Sequence, residues 1–143
     1  MAIAKKTVLF LCTGNSCRSQ MAEGLVNGFL GESWQAFSAG TNPAIQVHPL
    51  AIQVMHEIGL DISQHTPKQA DYFMGQAFDV VITVCDDAAE NCPIWLGQGR
   101  KQHIGFDDPA AFVGTPEETL VAFRQVRDSI QEQISQWLRN FNP

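Results

Sequence analysis

The amino-acid sequence predicts an α/β fold of the doubly wound type, in which helices flank a parallel sheet. Short apolar, β-branched runs alternate along the chain with longer segments whose apolar residues recur at helical spacing. The length of 143 residues suffices for one hydrophobic core. No internal repeat, low-complexity tract or change of composition indicates a linker, so we expect one domain over residues 1–143.

The first half of the chain contains two candidate strands, each followed by a candidate helix. Residues 7–11 are apolar and β-favouring, and this run is too short for the apolar core of a signal peptide, so we interpret it as a buried strand. Residues 19–30 carry apolar side chains at helical spacing and end at Gly31. Residues 34–38 are a second strand candidate, and residues 48–58 are a second helix.

The second half of the chain adds two strands and two helix starts. Thr66-Pro67-Lys68-Gln69 has the pattern of a helix start, in which Thr66 is the cap. Residues 78–84 are the clearest strand, because an apolar run fits a central parallel strand that is buried on both faces. Residues 101–106 are a weaker strand, and Thr115 to Glu118 form a capping box. The helix that this box opens carries one apolar stripe, which we expect to pack on the core: Leu120, Phe123, Val126, Ile130, Ile134, Trp137 and Phe141.

Charge and cysteine usage restrict the possible functions. A net charge of −6 provides no general attraction for nucleic acid or for an anionic membrane, so an anion would need a local binding device. Four cysteines without a secretory signal indicate a reducing compartment, and we expect a cytoplasmic monomer with reactive sulfur. The spacings Cys12-x4-Cys17 and Cys85-x6-Cys92 differ from the CxxC pairs of zinc modules, so we expect no bound metal.

The loop after the first strand has the composition of an anion site with a built-in nucleophile. Gly14 and Asn15 tolerate unusual backbone angles, which lets successive N–H groups point into one concavity. The next helix adds its positive N-terminus, and Arg18 adds a planar fork for two oxygens of a tetrahedral anion. Both stabilise a thiolate at Cys12, to which Ser19 could donate a hydrogen bond. The predicted oxyanion-binding residues are Thr13, Gly14, Asn15, Ser16, Cys17 and Arg18.

The segment from Cys12 to Glu23, CTGNSCRSQMAE, resembles the phosphate-binding loop of the low-molecular-weight protein tyrosine phosphatase superfamily. Within that superfamily the sequence is most similar to the thioredoxin-coupled arsenate reductases. The likeness continues through SAG at 38–40, DISQHT at 61–66, VCD at 84–86, NCP at 91–93, GFDDPA at 105–110 and FRQVRD at 123–128. The resemblance implies a four-stranded parallel sheet flanked by helices, catalysis in the Cys12 loop, and Asp108 as the general acid. From sequence alone Asp107 remains an alternative to Asp108, because nothing indicates which carboxylate points inward.

Phosphate and arsenate both fit the Cys12 loop, and the other cysteines bear on the choice between them. A thiolate and phosphate give a phosphocysteine that water hydrolyses, whereas a second thiol can attack the sulfur of an As(V)–S adduct and leave a disulfide. Cys85 directly follows the third strand, so we expect it at the same edge of the sheet as Cys12. The resemblance implies that Cys85 attacks Cys12, that Cys92 then attacks Cys85, and that thioredoxin reduces the final disulfide. No step requires Cys17, which we expect to act through its backbone N–H and by packing.

Three hypotheses follow for the function. The first is an arsenate reductase that uses thioredoxin. The second is a phosphatase for tyrosine phosphate or a small phosphomonoester, although the single tyrosine, Tyr72, lies outside the Asp108 loop. The third is a non-catalytic oxyanion or redox sensor whose thiols report oxidation.

The resemblance also bears on a cofactor, because some relatives hold potassium beside the anion loop. Asn15, Glu23, Ser38 and Thr66 match four positions that supply oxygens to the ion, but the position of the family's aspartate is Lys68 in this chain. An ammonium group there removes an anionic ligand and adds a positive charge. We therefore expect the potassium site to be lost. Lys68 is expected either to take the place of the ion, pairing with Glu23, or to extend into solvent.

Overall fold

The computed structural model describes residues 4–86 and 94–142. Within these ranges there are four strands, three α-helices and two short 3-10 turns, at Ala70–Phe73 and Pro109–Ala111. In chain order the elements are β1 (Lys6–Cys12), α1 (Arg18–Phe29), β2 (Trp34–Gly40), α2 (Pro49–His56), β3 (Ala77–Thr83), β4 (Gln98–His103) and α3 (Pro116–Arg139). No helix in these two ranges is long and apolar enough to cross a membrane.

The four strands form one parallel sheet in the order β2-β1-β3-β4, which confirms the predicted fold class. β1 lies between β2 and β3, and its residues from Val8 to Cys12 are buried because both faces of the sheet are covered. One face packs against α1, α2 and α3, and the other against a smaller aromatic cluster that contains Phe73, Phe78 and Trp95. The carboxyl ends of β1 and β3 therefore meet at one edge of the sheet.

The strongest local signal, the capping box before α3, is confirmed in detail. Thr115 Oγ1 accepts the backbone N–H of Glu118, and the Glu118 carboxylate accepts the N–H of Thr115. The helix runs to Arg139, and its predicted apolar stripe packs on the core through the fully buried Phe123, Ile130 and Ile134. Sequence patterns that combine a cap with a long amphipathic repeat are reliable, because both signals are local.

The helix predicted to start at Thr66 is wrong. Residues 66–69 are non-helical, and only a 3-10 turn follows, at Ala70–Phe73. The reason is tertiary: the Lys68 carbonyl accepts the N–H of Gly40, and Gln69 forms an isolated parallel bridge with Gly40. These contacts hold the segment extended against the end of β2, where a helix could not make them. The fourth strand also differs, since it covers residues 98–103 and not the expected 101–106.

Candidate active site

Hydrogen bonds from residues 42–48 hold the backbone of the loop between β1 and α1. Asn15 has a left-handed conformation, with φ at 50°. The neighbouring segment supplies three N–H groups that bind loop carbonyls: Asn42 to Thr13, Ala44 to Gly14 and His48 to Ser16, at 2.9–3.0 Å. Because these carbonyls are engaged away from the cleft, the loop N–H groups are free to face into it.

A glycine on β2 allows the loop to lie close to the sheet. A Cβ added at Gly40 would lie 2.4 Å from the Thr13 carbonyl oxygen and 3.0 Å from the Asn15 nitrogen. Any side chain there would push the loop out of place. Gly40, which the sequence presents only as part of the SAG segment, therefore allows the loop to pack directly against β2.

The start of α1 favours an anion. Its N-cap residue, Cys17, offers no side-chain cap, and no acidic residue occupies the first turn. Uncapped N–H groups and the helix dipole attract negative charge. The cleft in front of this helix end has ten lining residues: Cys12, Thr13, Gly14, Asn15, Ser16, Cys17, Arg18, Asn42, Asp108 and Ala110.

The sulfur of Cys12 lies at the base of the cleft and has two polar contacts. The Asn15 N–H donates to Sγ at 3.2 Å, and Ser19 Oγ lies 2.9 Å from Sγ. Both Cys12 and Ser19 are buried. Hydrogen bonds of this kind stabilise negative charge on sulfur, which is the form that attacks an electrophile.

The direction of the Ser19 hydrogen bond follows from the neighbouring Asn15 amide. The Lys68 backbone N–H donates to Asn15 Oδ1 at 2.9 Å, which orients the amide so that Nδ2 faces Ser19. Asn15 Nδ2 then donates to Ser19 Oγ at 2.8 Å. The single hydroxyl hydrogen of Ser19 is left to point at the sulfur of Cys12.

Gln20 is a residue of the candidate site that the sequence analysis missed. It is fully buried in the first turn of α1, and its Nε2 lies within 3.2 Å of three acceptors: the Asn15 carbonyl, Asn15 Oδ1 and the Thr66 carbonyl. It links the anion loop to the segment around Thr66. No local pattern identifies it, because a glutamine on a helix is most often exposed.

The residues that match the potassium positions form one polar cluster with Lys68. Ser38 Oγ donates to Glu23 Oε1 at 2.7 Å. Lys68 Nζ lies 3.7 Å from the same Glu23 oxygen and donates to the Thr66 carbonyl at 3.1 Å. His65 Nδ1 lies 3.4 Å from Glu23 Oε2. The ammonium of Lys68 therefore contacts this cluster and does not extend away from it.

Arg18 and Asp108 lie together at the mouth of the cleft. Arg18 is 4% exposed; its Nη1 donates to the Phe106 carbonyl at 3.1 Å, and its Nη2 lies 3.7 Å from Asp108 Oδ2. Asp108 also caps the following turn, since Oδ1 accepts the Ala110 N–H at 3.0 Å. Asp108 is half-buried and lines the cleft, whereas Asp107 is exposed and does not line it. The geometry thus favours Asp108 over Asp107 as the inward carboxylate.

The remaining cysteines differ in environment. Burial, followed by the nearby Asp108 carboxylate, raises the pKa of Cys17 to about 12, so this thiol stays protonated at neutral pH. Cys85 is fully buried, lies in the same apolar cluster as Cys12 and Cys17, and is disulfide-bonded, whereas Cys12 and Cys17 are free thiols. Cys92, the fourth cysteine of the chain, lies outside the described residues.

His48 is a second residue whose place the sequence did not indicate. Its Nδ1 accepts the Leu50 N–H at 3.1 Å and so caps α2, and its ring packs on Phe123 with a centroid distance of 4.8 Å. Burial lowers the pKa of His48, and the Asp108 carboxylate opposes that shift. His48 therefore links the anion loop, through its backbone N–H to Ser16, with Phe123 of α3.

Comparison with known proteins agrees with this geometry. The family model described as low molecular weight phosphotyrosine protein phosphatase matches residues 7–142. An arsenate reductase of Bacillus licheniformis is 47% identical over 135 residues, covering 94% of this chain and 96% of the relative. An arsenate reductase of Bacillus subtilis is 44% identical over 132 residues, covering 92% of this chain and 94% of that protein.

Solved structures give the same result at the level of the fold. An arsenate reductase in a phosphate-binding state has a TM-score of 0.76 and 32% identity, and the match covers 96% of this chain and 99% of that chain. The matched sequence includes the whole loop around Cys12, together with Arg18 and Asp108. On these grounds the chain belongs to the low molecular weight phosphotyrosine protein phosphatase family.

Proposed function

We propose that this protein reduces arsenate to arsenite, with Cys12 as the nucleophile, Cys85 and Cys92 as a thiol shuttle, and thioredoxin as the reductant. The proposal builds on the similarity to arsenate reductases over more than nine-tenths of the chain. The observation that carries it is the presence of Cys85 in the same buried cluster as Cys12, at the next strand end. A hydrolase has no need of that second sulfur.

The first step is the attack of the Cys12 thiolate on arsenic. Loop N–H groups and the Arg18 guanidinium hold the oxyanion, in line with the phosphate-binding state of a similar arsenate reductase. As the S–As bond forms, an arsenate oxygen leaves as water after accepting a proton, for which Asp108 is the nearest candidate at the mouth of the cleft. Ser19 stabilises the attacking sulfur through its hydroxyl hydrogen.

The second step separates reduction from hydrolysis. Cys85 Sγ attacks Cys12 Sγ, the S–As bond breaks, and its electron pair stays on arsenic, which leaves as arsenite. The product is a Cys12–Cys85 disulfide. Attack of Cys92 on Cys85 then releases the Cys12 thiolate and gives a Cys85–Cys92 disulfide, which two thiols of thioredoxin reduce. The disulfide-bonded state of Cys85 beside a free Cys12 supports this division of roles.

A phosphotyrosine phosphatase is the second candidate, and it has less support. None of the ten described residues that line the cleft is aromatic, so none of them offers a ring to stack on a phosphotyrosine. The single tyrosine, Tyr72, is 76% exposed and does not line the cleft. We propose at most a residual hydrolysis of activated aryl phosphates through the same Cys12 attack.

Potassium has no place in the proposed mechanism. The oxygens of Glu23 and Thr66 that would face the ion already contact the Lys68 ammonium, at 3.7 and 3.1 Å. A cation inserted there would meet a positive charge at close range. We propose that Lys68 substitutes for the ion and supports Asn15 through its backbone N–H.

A coupled turnover assay tests the proposal. The purified protein is supplied with arsenate and either thioredoxin with its reductase or glutaredoxin with glutathione, and NADPH consumption is followed. Sustained turnover with thioredoxin is expected. Turnover that requires glutaredoxin would overturn the thioredoxin coupling, aryl phosphate hydrolysis without arsenate turnover would favour the phosphatase, and neither activity would favour the sensor. Size-exclusion chromatography with light scattering in the same buffer tests the expected monomer.

A further inference from the structure

A short hydrogen bond joins the ends of β3 and β4 beside Cys85. Thr83 and His103 are register partners in the parallel pair, and Thr83 Oγ1 lies 2.6 Å from His103 Nδ1. Cys85 follows Thr83 by two residues, at the point where the chain leaves the sheet. The side chains of Thr83 and His103 therefore join the two strands immediately before the turn that carries the second sulfur.

Gly105 lies against both the imidazole of His103 and the peptide of Cys85. A Cβ added at Gly105 would lie 2.9 Å from the Cys85 carbonyl oxygen and 2.9 Å from His103 Nε2. Glycine at this position lets the chain after β4 pass directly between the ring and the Cys85 backbone. Beyond it, the Phe106 N–H donates to the Val84 carbonyl at 3.1 Å, which holds the two chains together past the end of the sheet.

We propose that His103 is a positioning residue for Cys85. It acts through Thr83 and through the packing at Gly105, and it holds the Cys85 backbone in the place from which the reduced thiol attacks Cys12. The inference rests on the proposed function, since only the shuttle requires Cys85 to meet Cys12 at attack distance. Thiol exchange needs the attacking sulfur aligned with the bond that breaks, so a small misplacement of Cys85 slows its attack on Cys12.

Matched variants on both sides of the bond provide the test. Thr83→Val and His103→Ala remove the hydrogen bond, whereas Thr83→Ser keeps the hydroxyl and His103→Asn keeps a polar atom near the position of Nδ1. Each change is made in the Cys92→Ser background, so that the reaction stops at the Cys12–Cys85 disulfide. The reduced protein is mixed with arsenate, quenched with an alkylating agent, and the disulfide is quantified by mass spectrometry. The alkylation rate of Cys12, with and without phosphate, is measured in parallel as a control for the anion loop.

We expect Thr83→Val and His103→Ala to slow disulfide formation by about tenfold or more, and the two conservative variants to restore it to within about threefold. The double variant Thr83→Val/His103→Ala should be no slower than the single ones, because they break the same bond. Unchanged disulfide formation, or an equal loss of Cys12 alkylation and of its protection by phosphate, would overturn the inference. If the Cys92→Ser parent forms no arsenate-dependent Cys12–Cys85 disulfide at all, the proposed function itself fails and the inference falls with it.

Discussion

The backbone N–H of Lys68 lies 2.9 Å from Asn15 Oδ1, and this contact orients the amide that donates to Ser19, the hydrogen-bond partner of Cys12. With Oδ1 engaged, Asn15 Nδ2 donates to Ser19, whose hydrogen is then directed to the sulfur of Cys12. Lys68, which lies 56 positions after Cys12 in the sequence, thus fixes the direction of the hydrogen bond to the Cys12 sulfur. The relationship makes the segment around Lys68 part of the site.

Loss of the Ser19 hydroxyl should weaken the attack by Cys12. We expect Ser19→Ala to lower arsenate turnover by about tenfold to hundredfold, because a hydrogen bond to a charged group contributes about 1.5–3 kcal/mol. Steady-state kinetics check this, with Ser135→Ala on α3 as a control outside the site. Turnover of Ser19→Ala equal to that of the control would remove the hydroxyl from the mechanism.

Cys12 should be the most reactive thiol of the reduced protein at neutral pH. Among the described cysteines it alone combines the Asn15 N–H, the Ser19 hydroxyl and the start of α1, whereas Cys17 stays protonated with a pKa of about 12. Limited alkylation followed by peptide mapping checks this, and phosphate or sulfate should protect Cys12. Earlier modification of Cys85 or Cys92, or the absence of protection, would contradict it.

Single cysteine replacements should separate the steps of the shuttle. Cys12→Ser should abolish both arsenate reduction and any hydrolysis of an aryl phosphate, since both begin with the same attack. Cys85→Ser and Cys92→Ser should abolish thioredoxin-coupled turnover and leave residual hydrolysis. Full thioredoxin-coupled turnover by Cys92→Ser would exclude Cys92 from the mechanism.

Potassium should not activate the enzyme. We expect equal arsenate turnover in potassium and in sodium at matched ionic strength, because the Lys68 ammonium contacts the oxygens of Glu23 and Thr66. Lys68→Asp should lower turnover in sodium, and potassium should restore part of it. A potassium-specific increase in the unmodified enzyme would mean that the site survives beside Lys68.

The stability of the protein should fall with acid partly through His48. Burial lowers its pKa, so the folded state binds this proton less readily than the unfolded state does. The stabilisation that neutral His48 contributes to the folded state is therefore fully present at pH values above the ordinary histidine pKa of 6.5. It is lost as the pH falls below that value. His48→Asn keeps a cap for α2 but cannot be protonated, so its melting temperature should fall less between pH 7.5 and 5.5. Equal decreases in the two proteins would assign the acid sensitivity to other groups.

The sequence by itself determined the parallel α/β fold, the capping box of α3 and the location of the Cys12 loop. These features depend on neighbours in the chain: an apolar run makes a buried strand, Thr115 and Glu118 lie within one turn, and the glycine and asparagine of the loop permit its backbone. Because parallel strands end at one edge, the sequence also predicted that Cys85 lies at the same edge of the sheet as Cys12.

Only the tertiary structure decided which polar groups form hydrogen bonds with the Cys12 loop. The pattern at residues 66–69 predicts a helix, but contacts with Gly40, Asn15 and Gln20 hold the segment extended. Three other features likewise depend on residues distant in sequence. They are the burial of Gln20, the position of Asp108 rather than Asp107 in the cleft, and the hydrogen bond between His103 and Thr83. Helix propensity contributes less than about 1 kcal/mol per residue for ordinary residues. Buried polar groups need hydrogen-bond partners, so the long-range hydrogen bonds determine the conformation of this segment.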